Sequence, residues 1–378
     1  MIRLYSYAVL LHAYVAWRLI PDMQFGAVGI VALSIWLILS AALIPLGFRA
    51  RRIRRQPLSD RVGWAGLFAM GSFSSLLVLT FLRDVVLLIS TGFDRLVPGQ
   101  LPLQTLVHYS ASIVVIGALV STLVGFLNAR RRARVKSVEV PISGLPASLH
   151  GFTIAQISDM HVGPTIKRNY VEAVVDAVND LNADMVAVTG DLVDGSVARL
   201  SHDTEPLSKL SARHGAYFVT GNHEYYSGAE AWVAEVRRLG LRVLMNEHVV
   251  VQHEGAAVVV AGVTDYSAHH FDPSQRSDPA RAIAGAPDHA NVKLLLAHQP
   301  RSAFAAEQAG YDLQLSGHTH GGQFLPWIFF VRFWQPFTAG LHRLGRLWVY
   351  TSRGTGYWGP PKRLGAPSEI TRLVLVPA

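Results

Sequence analysis

The chain has 378 residues, no cysteine, 34 Lys and Arg against 26 Asp and Glu, and a formal net charge of +8. Half of it is hydrophobic and its mean hydropathy is +0.28, too apolar for an ordinary soluble domain. The missing cysteines exclude disulfides and thiolate metal ligands, and suit the cytoplasm without proving it.

The apolar excess lies before residue 128, where four stretches read as membrane spans at about 4–20, 25–48, 64–82 and 103–127. The first carries His12 and Arg18, whose expected roles are snorkelling or satisfied polar contacts, as for His108. Arg83-Asp84 reads as the close of the third span, with Val85–Ser90 along the interface. Arg49, Arg51, Arg52, Arg54, Arg55 and Arg61 follow the second span, and Arg130, Arg131, Arg132, Arg134 and Lys136 follow the fourth. Loops 21–24 and 91–102 carry almost no net charge, so the positive-inside rule puts the N-terminus and everything after residue 128 in the cytoplasm. The two basic clusters account for the excess charge and offer contacts to anionic lipid, so a nucleic-acid partner is not required. Few ionisable residues in the spans argues for a tether with helix packing rather than a transport path.

Residues 128–150 read as a basic linker and first strand, and 151–378 as a domain large enough to bury its own core. Short β-like runs at 152–158, 185–189, 216–220, 291–296 and 312–316 each end in a polar loop. Helical patterns at 166–181, 229–239 and 300–308 alternate with them, and strand-like runs at 243–245, 249–252, 257–261, 347–351 and 370–376 follow. This order predicts an N-terminal four-helix transmembrane bundle joined to an α/β domain of two packed sheets flanked by helices.

The five loops carry Asp159-Met-His161, Gly190-Asp191-Leu-Val-Asp194, Gly221-Asn222-His223-Glu224, His298, and Gly317-His318-Thr-His320. Placed at strand ends, their side chains converge on one sheet edge, where open α/β sheets keep their sites. Mixed carboxylate and imidazole ligands suit Mn, Fe, Zn, Co or Ni. Two such ions, bridged by a carboxylate, would activate water and hold a phosphoryl group during in-line displacement.

These motifs, in this order, resemble the calcineurin-like metallophosphoesterases, and Gly321-Gly-Gln323 with the 359–370 segment looks like their bacterial membrane-associated branch. The resemblance covers about residues 137–378. It implies two divalent ions, one held by Asp159, His161 and His320, the other by Asn222, His298 and His318, with Asp191 bridging. It implies that His223 binds no metal but faces the phosphate and acts as general acid. Asp194 and Glu224 would orient ligands or the histidine. Asp265 also matches a family position.

Beside this motif set, Phe324–Phe337 is an aromatic-rich segment, read either as cover for the core or as a surface for membrane and acyl chains. Arg332, Arg353 and Arg363 are candidates to contact phosphate, Arg353 foremost. The reading is a membrane-anchored dinuclear phosphohydrolase of the cytoplasmic face of the inner membrane. Membrane lipids are its expected partners and a phosphodiester, pyrophosphate or monoester its substrate, with a lipid-linked one such as UDP-2,3-diacylglucosamine foremost. The alternatives are a non-catalytic membrane scaffold or sensor that binds ligand, and a nuclease or cyclic-nucleotide phosphodiesterase.

Overall fold

A computed structural model describes residues 2–53 and 55–378, so Arg54 of the first basic cluster lies outside the described residues. The chain forms two compact units, one of Met1–Leu127 with Gly359–Lys362, the other of Asn128–Trp358 with Arg363–Ala378.

The first unit holds four helices: α1 (Ile2–Leu19), α2 (Gly26–Arg49), α3 (Leu58–Leu96) and α4 (Leu103–Arg130), the last running three residues into the second unit. Among the described residues, α2, α3 and α4 are long and apolar enough to cross a membrane; α1, of 18 residues with His12 and Arg18, is not among them. Arg83-Asp84, read as the close of the third span, does not end the helix: α3 is 39 residues long in all. The reason is that both charges are satisfied inside the helical unit. Arg83 donates to Asp22, Ser110 and the Arg18 and Val107 carbonyls, while Asp84 accepts from Arg18 and Tyr14. His12 is likewise satisfied, between the Ala8 carbonyl and Ser40 Oγ, its ring stacked on Phe73 at 3.5 Å. Val15, Leu33, Leu37, Phe73, Leu76 and Val114 form the core of this unit. At the contact of α2 with α3, a Cβ on Gly66 would lie 2.5 Å from Gly47 Cα, so the backbones meet directly. Gly359–Lys362 belongs here too: Pro360 packs on Gly71, and Lys362 Nζ donates to Gly71 O and Ser75 Oγ.

The second unit is two six-stranded sheets. Its strands are β1 (Arg134–Ile142), β2 (Thr153–Ile157), β3 (Met185–Val188), β4 (Ala216–Phe218), β5 (Arg242–Val243), β6 (Glu247–His253), β7 (Ala256–Gly262), β8 (Val292–Leu296), β9 (Leu313–Ser316), β10 (Gly340–Leu344), β11 (Leu347–Thr351) and β12 (Glu369–Pro377). One sheet runs β1-β12-β2-β3-β4-β5 with β2 to β5 parallel; the other runs β10-β11-β9-β8-β7-β6 with β7, β8, β9 and β11 parallel. Parallel strands need crossovers, and helices α5 (Arg168–Asn179), α6 (Val197–Thr204), α7 (Asn222–Ser227), α8 (Ala229–Arg238), α9 (Pro279–Ile283) and α10 (Ala303–Gln308) lie between strands in sequence. The short α11 (Trp327–Phe330) starts the aromatic segment.

Period-two alternation decides the layers. Met185 and Ala187 enter the core between the sheets, where they meet Val258, Val260, Leu294 and Leu296. Val186 and Val188 point the other way, into a core shared with α5 and α8, while Leu295 and Ala261 join Ala303 and Ala306 of α10. Strands buried on both faces explain the near-continuous apolar runs in the sequence. Buried Gln156 pins the sheets together near their carboxyl ends, donating to Thr189 Oγ1 and to the Ser316 carbonyl.

Candidate metal centre

The five motifs meet at the carboxyl edge of the parallel strands. Asp159 follows β2, Asp191 follows β3, Asn222 opens α7 after β4, His298 follows β8 and His318 follows β9. Backbone bonds tie these loops together: Asp159 N donates to Gly190 O, His161 N to Asp191 O and Gly317 N to His298 O.

Asp159, His161 and His320 form one cluster, and Asp191, His298 and His318 a second. In the first, His161 Nε2 and His320 Nε2 are 3.0 Å apart, and His320 Nε2 is 3.5 Å from Asp159 Oδ1. In the second, His318 Nδ1 is 3.2 Å from His298 Nε2. Asp191 Oδ2 stands between them, 3.1 Å from His298 Nε2 and 3.8 Å from His161 Nε2. Its other oxygen accepts the His223 backbone N–H at 2.8 Å.

The residues fit a pair of cations. Asn222 Oδ1 is buried with no hydrogen-bond partner, an acceptor that only a cation or water would satisfy. His298 Nδ1 donates to the Thr189 carbonyl at 2.7 Å, which aims Nε2 at Asp191 Oδ2, 3.1 Å away. Burial holds the His318 imidazole down to about 3, and burial with Arg363 holds that of His320 well below its usual range, so both rings stay neutral. Burial opposes the charge on Asp191, but its coulombic pull and hydrogen bond with His298, then His223 and His161, keep its carboxyl well below the ordinary range.

Five of these residues sit in the left-handed region: Asp159, His161, Asp191, His318 and His320 have φ between 51° and 72°. That conformation costs a non-glycine residue roughly 1–2 kcal/mol. Such strain gathers where surrounding structure holds side chains for a task. Gly317 shows how tight the enclosure is, since a Cβ there would fall 2.0 Å from Ser158 Oγ and 2.1 Å from Asp159 Oδ2.

Against this geometry stand the relatives. The family model for the calcineurin-like phosphoesterase matches residues 152–322. An uncharacterized metallophosphoesterase of Aquifex aeolicus is 32% identical over 244 residues, 63% of this chain and 89% of that protein. The chain belongs to the calcineurin-like metallophosphoesterases. Proteins described as transmembrane with a metallophosphoesterase domain, from Danio rerio and Bos taurus, are 39% and 40% identical over 66% and 70% of this chain. The match spans only 59% and 62% of those two proteins. With three apolar helices of spanning length, this metallophosphoesterase is a membrane-associated member of the family.

Around the ligands the structure gives other residues distinct tasks. His223 lies over Asp191, its Nε2 4.0 Å from Oδ2, and its Nδ1 is 2.5 Å from Asp194 Oδ1. Burial acts against the imidazolium, but that hydrogen bond and the Asp191, Asp194 and Glu224 charges raise His223 to about 8. Glu224 is fully buried and accepts from three backbone amides, Asp191, Gly221 and Leu192, so it fixes the loop that presents Asp191. Asp265 is buried and accepts from Ser267 and from Gln299, the neighbour of His298.

Arg353 meets Glu369, its backbone N–H at 3.1 Å and its Nη1 at 3.2 Å. Arg332 is exposed and caps the Phe329 carbonyl. Arg363, 1% exposed, has its guanidinium filled by the Gly356, His320 and Ala366 carbonyls and by His320 Nδ1 at 3.0 Å. It positions the His320 ring, a role hidden in sequence because 43 residues separate the two.

Aromatic rings wall the site. Tyr226 and Trp358 meet the His223 ring edge-on at 5.1 and 5.8 Å, and Phe271 packs on Tyr226. Tyr226 was findable, being three residues after His223 on α7. Gln323 holds Trp358 by a double amide bond, Nε2 to Trp358 O and Trp358 N to Oε1. Beyond it Trp327, Phe329, Phe330, Phe333 and Trp334 are exposed, whereas Phe324 is buried.

Proposed function

We propose that this metallophosphoesterase hydrolyses a phosphoester or pyrophosphate bond with two divalent ions, on a membrane substrate at the cytoplasmic face. The observation that carries this reading is Asp191 Oδ2 standing between two ligand clusters. Asp159, His161 and His320 would hold one ion, Asn222, His298 and His318 the other, and Asp191 both. Bound there, such a pair supplies an activated water and positive charge for the phosphoryl oxygens. The chain itself supplies the proton. His223 would hold its Nδ1–H on Asp194 and, as the imidazolium, pass its Nε2 proton to the leaving oxygen, becoming neutral.

A lipid-linked substrate is supported by the aromatic rings beside His223 and by the exposed rings of 327–334. Membrane lipid as a partner is supported by a cavity of about 250 Å³ lined by Arg131, Arg132 and Arg134. The cytoplasmic orientation in the inner membrane rests on the two arginine-rich loops. An acylated sugar nucleotide such as UDP-2,3-diacylglucosamine is the first specific substrate to try, and equal rates on its deacylated form would sink the lipid reading. The same rings would also stack a nucleobase, which keeps a nucleotide phosphodiesterase as the second reading.

The test is turnover of bis-nitrophenyl and mono-nitrophenyl phosphate by the detergent-purified full chain, with and without Mn. Metal-dependent hydrolysis, abolished in Asp191→Asn, is the expected result. Two bound ions without turnover of these or of lipid-linked substrates would favour the non-catalytic scaffold instead.

A further inference from the structure

A second group of ligand-type side chains lies far along the fold from the candidate centre. Asp184 stands immediately before β3, His214 shortly before β4, and His253 ends β6. The catalytic loops follow the carboxyl ends of β2, β3 and β4, so residues that precede these strands sit at the opposite sheet edge. His253 pairs with Ala256 at the start of β7, which places it at that same edge of the other sheet. Three strand ends from two sheets therefore bring one carboxylate and two imidazoles together, each with a donor atom within 4.8 Å of the others.

The local geometry is that of ligands rather than of a chance surface cluster. His214 Nε2 and His253 Nδ1 are 2.9 Å apart, close to the 3.0 and 3.2 Å of the imidazole pairs in the candidate catalytic centre. Two imidazoles on one tetrahedral ion, at metal–nitrogen distances of about 2.0–2.1 Å, need only a slightly wider gap. Asp184 Oδ1 is 3.8 Å from His253 Nδ1. Its other oxygen accepts both Thr153 N and Thr153 Oγ1, at 2.8 and 2.9 Å, which fixes the carboxylate and leaves Oδ1 facing the histidines. His214 is anchored through its backbone, N–H to Asp184 O and carbonyl to Tyr217 OH. Buried Phe152 backs both rings, nearly parallel to His214 and edge-on to His253. Glu254 Oε1 lies 3.8 Å from His253 Nε2, the side on which metal-bound histidines commonly meet a carboxylate.

We propose that Asp184, His214 and His253 form a second metal site, suited to zinc, that clamps the two sheets at the edge opposite the candidate catalytic centre. Three protein ligands leave the fourth position to water. The site does not depend on the catalytic reading.

The test counts zinc per chain by mass spectrometry in the detergent-solubilised full chain after equilibrium dialysis. Wild type, His214→Ala and His253→Ala are compared, each also in a His161→Ala/His318→Ala background that removes one histidine from each of the two catalytic clusters. One zinc should remain in that background and be lost on adding His214→Ala. Mn-dependent phosphodiester turnover of His214→Ala alone should stay within about twofold of wild type, as expected of a site outside the chemistry. Should His253→Ala fail to fold, half-buried His214 still decides the question. An unchanged zinc count on replacing His214, in either background, would reduce the cluster to an imidazole pair sharing a proton.

Discussion

At the scale of the residue, the centre depends on side chains that touch no substrate. Asp194 binds the ring of His223 and lies 3.3 Å from His161 Nδ1, so one carboxylate orients the proposed acid and stands beside a proposed ligand. Asp194→Asn should lower kcat by roughly 10–100-fold while bound metal stays nearly stoichiometric, which steady-state kinetics and metal analysis together would check. Arg363 acts on a ligand instead. Arg363→Met leaves the His320 carbonyl without its donor and removes the guanidinium packed beside the ring, so the Mn concentration for half-maximal turnover should rise about 10–100-fold. An unchanged Mn dependence would show that packing alone orients His320. The proposed metal ligands were legible as a group in sequence because each sits within a few residues of a strand end. Arg363 was not, because its burial beside His320 is settled by chain 43 residues away. The contact of Arg353 with Glu369 was equally hidden, as it depends on where β12 lies.

At the scale of the element, glycines set how closely strands and helices approach. A methyl at Gly317 would overlap Ser158 and Asp159, and one at Gly221 would fall 2.2 Å from Asp191 Oδ1. Gly317→Ala should therefore weaken metal binding and lower the thermal midpoint, with a penalty of about 1–3 kcal/mol typical of overpacking. A thermal scan with and without Mn would separate the two effects. In the helical unit, Gly66→Leu would drive α2 from α3 at Gly47 and should show as lost thermal stability in detergent. Sequence periodicity found the strands of both sheets except β10, whose alternation is weak and whose residues are mostly half-buried. It cut α3 short at Arg83 because charge normally ends a span. The partners that make this charge tolerable, Asp22 and Ser110, come from other parts of the chain.

At the scale of the whole molecule, the distribution of arginine makes a claim about sidedness. A reporter fused after residue 136 should be active only in its cytoplasmic form, and one inserted within loop 97–102 only in its external form. The reverse pattern would turn the proposed active site to the other side and remove cytoplasmic substrates from consideration. The α3 helix, at about 1.5 Å per residue, is far longer than the ~30 Å hydrocarbon core, so its ends must emerge, tilt or bend.

The four residues Gly359–Lys362, held on Gly71 and Ser75, change what kind of object this chain is. The polypeptide passes between its two units after Leu127, after Trp358 and after Lys362. A cassette hangs from its anchor by a single thread and can be shuffled or clipped free; this chain is stitched three times. Excision before Asn128 would release a domain with a dropped stitch, missing the seat of its own lysine.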